Sequence, residues 1–404
     1  MNILSDIRYW FASLLRVWVR EFSLVFRDAG VMVFFFALPL MYPVVYTLIY
    51  NPEVIRDLPV AVVDHSRTAE SRKLARMIDA TDALEVYQYC PDIPSARRLS
   101  NEKKVFGILE IPDDYARRIG RGEQAQVTYY ADVSLLLRYR SALGALTDVQ
   151  IALGNNIRGE KVESAGILLQ TMDGVPVNSE SVFIGDPTQG FASFIIPGII
   201  VLILQQSMIL GVTMIAGGVS ERRRRNRGYD PLAVDAPSSA TLIGKALCYL
   251  VCYAPMTLYV LYFVPMMFSL PHVGTVWQNI TFIVPMLLAS AMLGQCLGVF
   301  VTERESSMLV VVFTSVVFLF LSGLTWPRYA MSPFWTLVGD AIPATWGVEG
   351  FIRLSSNGAS IADEATPYRM LWILCGVYFV AAWILRRVSF GSSGVRTLRR
   401  TSKI

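Results

Sequence analysis

The chain of 404 residues is poor in charge: Asp, Glu, Lys and Arg make up 17% of it, whereas soluble domains carry roughly 25%. Hydrophobic residues make up 53%, and the mean hydropathy is +0.45. The missing charge is concentrated in long apolar segments rather than spread evenly. This pattern excludes an ordinary soluble domain and indicates a polytopic α-helical membrane protein.

Groups that carry metal or hydrolytic chemistry are also scarce. The two histidines, His65 and His272, lie in different segments without partners at metal-site spacing. No Gly-x-Ser-x-Gly motif occurs, and Gly244-Lys245 does not complete a P-loop because Ala246 follows it. We therefore expect a protein that is not an enzyme, with no metal, no cofactor and no nucleotide site. If ATP drives it, another chain binds the ATP and the magnesium.

Signals for secretion and cross-linking are missing as well. The first thirty residues lack a short apolar core followed by a cleavage site, so no cleavable signal peptide is expected. Of the five cysteines, only Cys90 lies outside the apolar segments, and it cannot form an internal disulfide alone. Ionisable residues are nearly absent from the apolar segments, which argues against a proton- or ion-coupled transporter.

Hydrophobic patterning predicts an N-terminal amphipathic helix and six membrane spans. The helix occupies residues 1–30, with aromatic residues on one side and most polar residues, Arg20 and Glu21 among them, on the other. This pattern is typical of a helix in the membrane interface; a core-facing helix of a soluble domain is the alternative. The predicted spans are residues 31–50, 191–219, 246–268, 277–301, 308–324 and 370–385.

The segment between the first two spans, residues 51–190, is too long for a loop and is predicted to be a small α/β domain. Apolar runs predict strands at Leu58–Val63, Val105–Ile111 and Val127–Tyr130. They alternate with helical segments at Ser71–Ile78 and from Leu135 to about Gln170. The segment has a net charge of −4 and the rest of the chain +8, so opposite sides of the membrane are expected.

Arginine is concentrated in residues 220–245, between the second and third spans. Five arginines between residues 222 and 227 cannot lie in hydrocarbon, where each charge costs at least about 3 kcal/mol, so a loop is predicted. Short segments on its side of the membrane hold 17 Lys and Arg residues, against 3 on the other side. The positive-inside rule then places both termini, with the basic tail 386–404, in the cytoplasm. We expect a multi-pass protein of the bacterial inner membrane, in contact with lipid and with no nucleic-acid partner.

Three groups of residues follow one another on this predicted topology. The first is Ser220-Glu221-Arg222-Arg223, Asp230-Pro231-Leu232, Ala236-Pro237 and Gly244-Lys245. The second, in the insert, is Val105–Tyr115, Arg121-Gly122 and Val127–Asp132. The third, after the fifth span, is Leu321–Pro327, Ile342–Trp346 and Glu349-Gly350. In this order they resemble the type-two permeases of ATP-binding-cassette (ABC) exporters, in the long-periplasmic-loop, drug- or lipid-exporter-like subfamily.

The resemblance implies the transmembrane permease subunit of an exporter for a drug-, lipid- or polymer-like substrate. Its pathway would lie between two copies, or between a copy and a paralogue, each bound to a cytoplasmic ABC ATPase. A short helix at Asp230–Ala236 would contact the ATPase, and the external loop 326–369 would hold re-entrant helices that close the exit. The periplasmic domain would cap the exit or dock a periplasmic adaptor protein.

Particular residues are assigned to these roles. Those implied in coupling to the ATPase are Glu221, Arg222, Arg223, Tyr229, Asp230, Pro231, Leu232 and Lys245. Those implied in the outer gate are Trp326, Pro327 and Trp346. A pathway lining is suggested, mainly by polarity within apolar helices, for Phe194, Gln205, Gln206, Ser207, Thr213, Thr314 and Ser315. The equally weighted alternative is that these polar groups bond neighbouring helices.

A function of another class stays open. The chain could be a membrane-anchored receptor or assembly factor whose external domain binds a ligand or partner without transport. Six spans are more than an anchor needs. An integral membrane transferase would require an acidic or histidine cluster at the membrane edge, and the sequence has none. Co-purification of an ATPase separates the permease from both alternatives.

Overall fold

The computed structural model describes residues 3–50, 55–133, 135–164, 190–270 and 272–401. The chain divides into two compact units, one within residues 52–182 and the other formed by the residues on either side. The division falls close to the predicted insert, residues 51–190. The smaller unit contains a β-sheet, and the described residues of the larger unit form helices and their connections.

The elements fall in a regular order along the described residues. In the first half they are α1 (Ile3–Arg27), α2 (Ala29–Tyr50), β1 (Leu58–Asp64), α3 (Ala69–Asp79), β2 (Leu84–Cys90), α4 (Ile93–Asn101), β3 (Gly107–Ile111), α5 (Tyr115–Arg121), β4 (Thr128–Ala131) and α6 (Leu136–Ser164). In the second half they are α7 (Phe191–Arg225), α8 (Ser238–Met267), α9 (Val276–Leu297), α10 (Arg304–Leu321), α11 (Pro333–Asp340), α12 (Pro343–Asn357) and α13 (Ala365–Thr401).

The smaller unit is built on a four-stranded sheet in the order β2-β1-β3-β4. β1 runs parallel to β2 and β3, and β4 is antiparallel to β3. Val60 and Val62 of β1 pack against α3 and α6, while Ala61 and Val63 pack on the side of α4. Because both faces of β1 are covered, its sequence is a continuous apolar run rather than an alternating one.

The sequence patterns predict three of these strands and miss β2. Four of the seven residues of β2 are exposed, among them Tyr87 and Tyr89, so the strand lacks the apolar run that identifies β1. β2 is also the edge of the sheet, where only one side of the backbone is paired. The predicted helix from Leu135 to Gln170 is observed as α6 up to Ser164, and residues 165–170 lie outside the described residues.

Six helices of the larger unit are long and apolar enough to cross a membrane: α2, α7, α8, α9, α10 and α13. This number agrees with the prediction. α7 is the most enclosed of them. Phe35 of α2 lies at the centre, with its ring centroid 5.0 Å from that of Tyr253 and 5.7 Å from that of Tyr249, both on α8. Gly211 of α7 leaves the space for this ring, since a Cβ there would overlap Phe35.

The prediction of a loop over residues 220–245 is wrong at both ends. α7 continues through Arg222–Arg225, and α8 already begins at Ser238. Charge excludes arginine from hydrocarbon but not from a helix. α7 has 35 residues and is therefore about 50 Å long, compared with a hydrocarbon core of roughly 30 Å, so its end can reach water while remaining helical.

The short helix implied at Asp230–Ala236 is also absent: residues 226–237 form turns instead. Arg227 and Gly228 adopt positive φ angles of 53° and 93°, which end α7. The Asp230 side chain and carbonyl accept the N–H groups of Leu232 and Ala233, respectively, and so close a tight turn. The few residues before the next proline are too short to nucleate a helix on their own.

Other helix boundaries differ from the predicted ones for the same reason as in α7. α10 begins at Arg304, inside the predicted turn 302–307, and α13 begins at Ala365 rather than at residue 370. α13 also continues to Thr401, through most of the residues predicted as a basic tail. The predicted loop 326–369 contains the short helices α11 and α12.

Candidate functional site

The turn between α7 and α8 is fixed to the rest of the unit by one buried carboxylate. Asp230 is only 2% exposed, and its two oxygens accept hydrogen bonds of 2.9 Å from Nη2 of Arg20 and Nε of Arg222. Burial acts to raise the pKa of Asp230, but the hydrogen bonds from Arg222 and the Leu232 amide and the charge of Arg20 hold it below its ordinary value. The carboxylate therefore stays charged at neutral pH and joins α1 to α7.

The same turn presents its neighbouring side chains to the outside. Tyr229 is 63% exposed and Leu232 45% exposed, and Pro231 between them is also exposed. A buried ionic base under an apolar tip makes the Tyr229–Leu232 turn rigid. Such a turn can transmit a force from a partner protein to the helices that hold it.

A second buried carboxylate, Glu21, joins α1 to α8. Its side chain is fully buried, and its Oε1 lies 3.0 Å from Nζ of Lys245 and accepts a hydrogen bond from the Tyr249 hydroxyl. Burial acts to raise the pKa of Glu21, but Lys245, Tyr249 and Arg20 outweigh it and lower the pKa. We refer to Arg20, Glu21, Arg222, Asp230, Lys245 and Tyr249 as the charged junction.

Gly244 allows the close approach that the junction requires. A Cβ at this position would lie 3.0 Å from the carbonyl oxygen of Leu14 and 3.3 Å from a methyl carbon of Val17, both on α1. A larger residue would force α1 away from α8 and lengthen the contact between Lys245 and Glu21. The Gly-Lys pair therefore has a structural role: the glycine admits α1, and the lysine binds it.

A second cluster lies beside the junction and joins α7, α10 and the start of α2. Glu221 accepts a hydrogen bond of 2.9 Å from the Arg304 backbone N–H, and Nη1 of Arg304 lies 2.7 Å from Oδ2 of Asp28. Asp28 also caps α2 by accepting the N–H groups of Gly30 and Val31. Any movement of the end of α7 therefore acts on α10 as well.

The structure thus joins four of the eight predicted coupling residues, Glu221, Arg222, Asp230 and Lys245, to other elements by ion pairs. Three others, Tyr229, Pro231 and Leu232, are exposed, and Arg223 lines a cavity next to Asp230. The sequence analysis missed Arg20 and Glu21, which it placed on the polar side of the first helix. The available signal was Lys245, because a cation within an apolar helix requires a counter-charge.

The polar residues predicted to line a pathway are largely enclosed where they lie on α7. Gln205, Ser207 and Thr213 are buried in the single chain. Ser207 accepts a hydrogen bond of 2.9 Å from the Tyr253 hydroxyl on α8, and Gln205 accepts one of 3.5 Å from Ser290 on α9. These three side chains therefore face helix packing within one chain.

The remaining pathway candidates do not share a surface with them. Phe194 is 58% exposed near the start of α7. Thr314 and Ser315 are half-buried on α10 and donate to carbonyl groups of their own helix. Both amide atoms of Gln206 are buried, with no hydrogen-bond partner among the described residues. The assignment of these residues to a pathway stays a prediction.

The predicted outer gate residues lie beside an ionic network that holds α11 to α12. Arg328 contacts Asp340 and lies 2.6 Å from Glu349, and its guanidinium group lies 4.5 Å from the centre of the Trp346 ring. Trp346 also donates to the Asp340 carbonyl at 2.9 Å. Trp326-Pro327 is exposed just before this network. The network fixes Trp346, while Trp326-Pro327 is free to contact other surfaces.

Comparison with known proteins gives one family match. The family model described as ABC-2 family transporter protein matches residues 30–384. The match begins in α2, includes the β-sheet unit and the helices α7 to α12, and ends within α13. No curated protein matches the chain.

Proposed function

Because the chain belongs to the ABC-2 family of transporter proteins, whose members are membrane components without an ATPase domain, we propose that it is the permease subunit of an ABC exporter. A separate cytoplasmic ATPase would drive it, and the substrate would be drug-, lipid- or polymer-like. The observation that carries this proposal is the exposed Tyr229–Leu232 turn with the buried Asp230 at its base.

The contacts of the turn suggest how a push from the ATPase would reach the membrane helices. Asp230 binds Arg222 on α7 and Arg20 on α1, so the turn and these two helices would move together. Glu21 binds Lys245 on α8, which adds a third helix. Charge-assisted hydrogen bonds of this kind are short and directional, and they transmit displacement better than apolar contacts that can slide.

The proposed orientation places the charged junction in the cytoplasm, with both termini, in a bacterial inner membrane. Arginine density at this end supports it. α1 then lies along the inner leaflet. It packs on the unit through Leu14, Val17 and Val25, yet Leu4, Phe11, Leu15 and Val19 stay exposed. An apolar stripe that the chain leaves uncovered suits a helix in the membrane interface.

The smaller unit would lie in the periplasm, because it is inserted between α2 and α7 at the ends of these helices that do not carry the junction. There it would cap the exit or dock a periplasmic adaptor protein. Its net negative charge supports placement on the side opposite the arginines.

A second copy of the chain, or a paralogue, would complete the pathway along α10. Most of the lipid-length part of this helix is exposed in the single chain. The exposed apolar residues of α10 are Met308, Leu309, Val312, Phe313, Val316, Val317 and Phe320. Their spacing places many of them on one side of the helix, which fits packing against another helix.

Cross-linking tests this dimer. A Phe313→Cys variant, treated in membranes with a short bifunctional thiol reagent, is expected to give a covalent dimer, because Phe313 is 74% exposed on α10. Val377→Cys on α13, 54% exposed at the original valine, is the matched control and should stay monomeric. Equal yields of dimer from the two variants, or none from either, would mean that lipid rather than a second copy covers α10.

The ATPase contact is tested by Leu232→Asp. A tagged chain, extracted in mild detergent, is expected to retain a stoichiometric ATPase with vanadate-sensitive hydrolysis. Leu232→Asp should lower the amount retained by at least about ten-fold, because a carboxylate replaces an apolar side chain at the centre of the contact. Val133→Asp, which makes the same change at an exposed position of the smaller unit, should retain the ATPase fully.

Two other outcomes of this experiment are informative. Full retention of the ATPase by Leu232→Asp would move the contact away from the Tyr229–Leu232 turn. A wild-type chain that retains no ATPase at all would contradict the permease proposal. It would favour a receptor or assembly factor, whose external domain binds a partner without transport.

A further inference from the structure

A cavity of about 190 Å³ lies beside the charged junction, among α1, α7, α8, α9 and α13. Four cationic side chains line it, and each comes from a different helix: Arg20, Arg223, Lys245 and Arg386. Asp230 is the one carboxylate in the lining described for this cavity. The chain therefore folds so that α1, α7, α8 and α13 bring positive charge to one enclosed space.

The charge around the cavity is not balanced by the ion pairs described there. With Arg222 included, five cations meet at this place, and the carboxylates that form ion pairs with them are Glu21 and Asp230. Nε of Arg20 is buried and has no acceptor in the described structure. Partly buried positive charge is unfavourable without an opposite charge nearby, so the cavity is suited to an anion.

The remaining wall of the cavity is apolar. Val17, Val212, Leu242 and Val299 contribute to it, with small alanine and glycine residues between them. A fully hydrated inorganic ion gains nothing from such a wall. A molecule with a charged head and a hydrocarbon part gains from both halves of the cavity.

We propose that this cavity binds a phosphate ester, and that its apolar wall favours an anionic phospholipid over a soluble phosphate. Basic pockets between membrane helices are known sites for acidic headgroups, and arginine fits phosphate oxygens with paired hydrogen bonds. The bound headgroup would hold Arg20, Arg223, Lys245 and Arg386 together and so stabilise the junction. The site rests on the geometry; only its assignment to the inner leaflet rests on the proposed function.

The test uses the full chain, purified in a neutral detergent without any ATPase. Phosphatidylglycerol, phosphatidylcholine and glycerol 3-phosphate are titrated separately, and tryptophan fluorescence follows thermal unfolding. Phosphatidylglycerol is expected to raise the Tm by roughly 5 °C at saturation, and phosphatidylcholine much less. An equal rise with glycerol 3-phosphate would identify a soluble phosphate ester as the ligand of the same site.

Substitution locates the binding. Arg386→Gln is expected to weaken phosphatidylglycerol binding about five-fold. Arg387→Gln removes the same charge one residue further along α13, where Arg387 is exposed and stacks on Trp383, and it should leave binding within about two-fold of wild type. Arg223→Gln, with the exposed Arg225→Gln as its control, repeats the comparison on α7 in case Arg386→Gln does not fold.

The proposal is overturned if no phosphate ester stabilises the chain more than phosphatidylcholine does. It is equally overturned if the variants and their controls weaken binding alike, because the lipid would then sense only surface charge. Since no ATPase is present, loss of the permease function would leave these results unchanged. Loss of lipid binding would likewise leave ATPase capture intact.

Discussion

Glu21→Gln is expected to lower the free energy of unfolding of the larger unit by about 3–5 kcal/mol, the usual result of breaking a buried ion pair. Glutamine keeps the shape of the side chain and can still accept the Tyr249 hydrogen bond, but it removes the charge opposite Lys245. Lys245 then holds an uncompensated charge or gives up its proton, and each route costs free energy. The Tm in detergent should fall by on the order of 10 °C.

Two further variants separate the ion pair from general damage. Glu303→Gln makes the same change in the exposed pair with Arg224, whose side chains are 51% and 63% exposed; it should cost no more than about 1 kcal/mol. Lys245→Met added to Glu21→Gln should recover most of the stability, since no buried charge remains. A double variant as unstable as Glu21→Gln would contradict the ion-pair explanation.

The dependence on pH has a definite sign. The pKa of Glu21 is lowered in the folded chain, so its contribution is complete above the ordinary carboxyl pKa and is lost as the pH falls through the lowered value. The stability difference between wild type and Glu21→Gln should therefore be constant near neutral pH and shrink in acid. A difference that grows on acidification would mean that Glu21 is protonated when folded at neutral pH.

The sequence was sufficient for the membrane helices but not for the contacts between them. Length and hydrophobicity predict α2, α7, α8, α9, α10 and α13, because these are local properties of one segment. The partnership of Glu21 with Lys245 is not local: the two residues are far apart in the sequence, and the amphipathic pattern assigned Glu21 to the water-facing side. Only the packing of α1 on α8, permitted at Gly244, brings them together.

The errors in boundaries have a single physical origin. The sequence analysis treated the end of hydrophobicity as the end of a helix, as at Arg222–Arg225 on α7 and at Arg304 on α10. Backbone hydrogen bonds continue beyond the membrane surface until a residue such as Gly228 or a proline ends them. The position of the Tyr229–Leu232 turn was predicted, whereas its form, a turn closed by Asp230, depends on Arg20 and Arg222 in three dimensions.

Asp230→Asn is expected to reduce the stimulation of the ATPase by the permease at least about ten-fold. Two hydrogen bonds to arginine each lose the charge that strengthens them, by about 1.5–3 kcal/mol for a charged group. Arg20 and Arg222 then repel one another at the base of the turn. The apolar tip, Tyr229 and Leu232, is unchanged, so the ATPase should still be captured, but its push would no longer be passed to α1 and α7.

Asp235→Asn is the matched control, because Asp235 lies five residues further along the same connection and is exposed. Capture and vanadate-sensitive hydrolysis, measured on the same preparations, distinguish coupling from docking. Normal stimulation in Asp230→Asn would show that force does not pass through the junction. Loss of capture together with stimulation would show that Asp230 only shapes the docking surface. Retained capture with lost stimulation is the result that assigns coupling to the Asp230 ion pairs, since no other change separates the turn from the helices while leaving its exposed side chains in place.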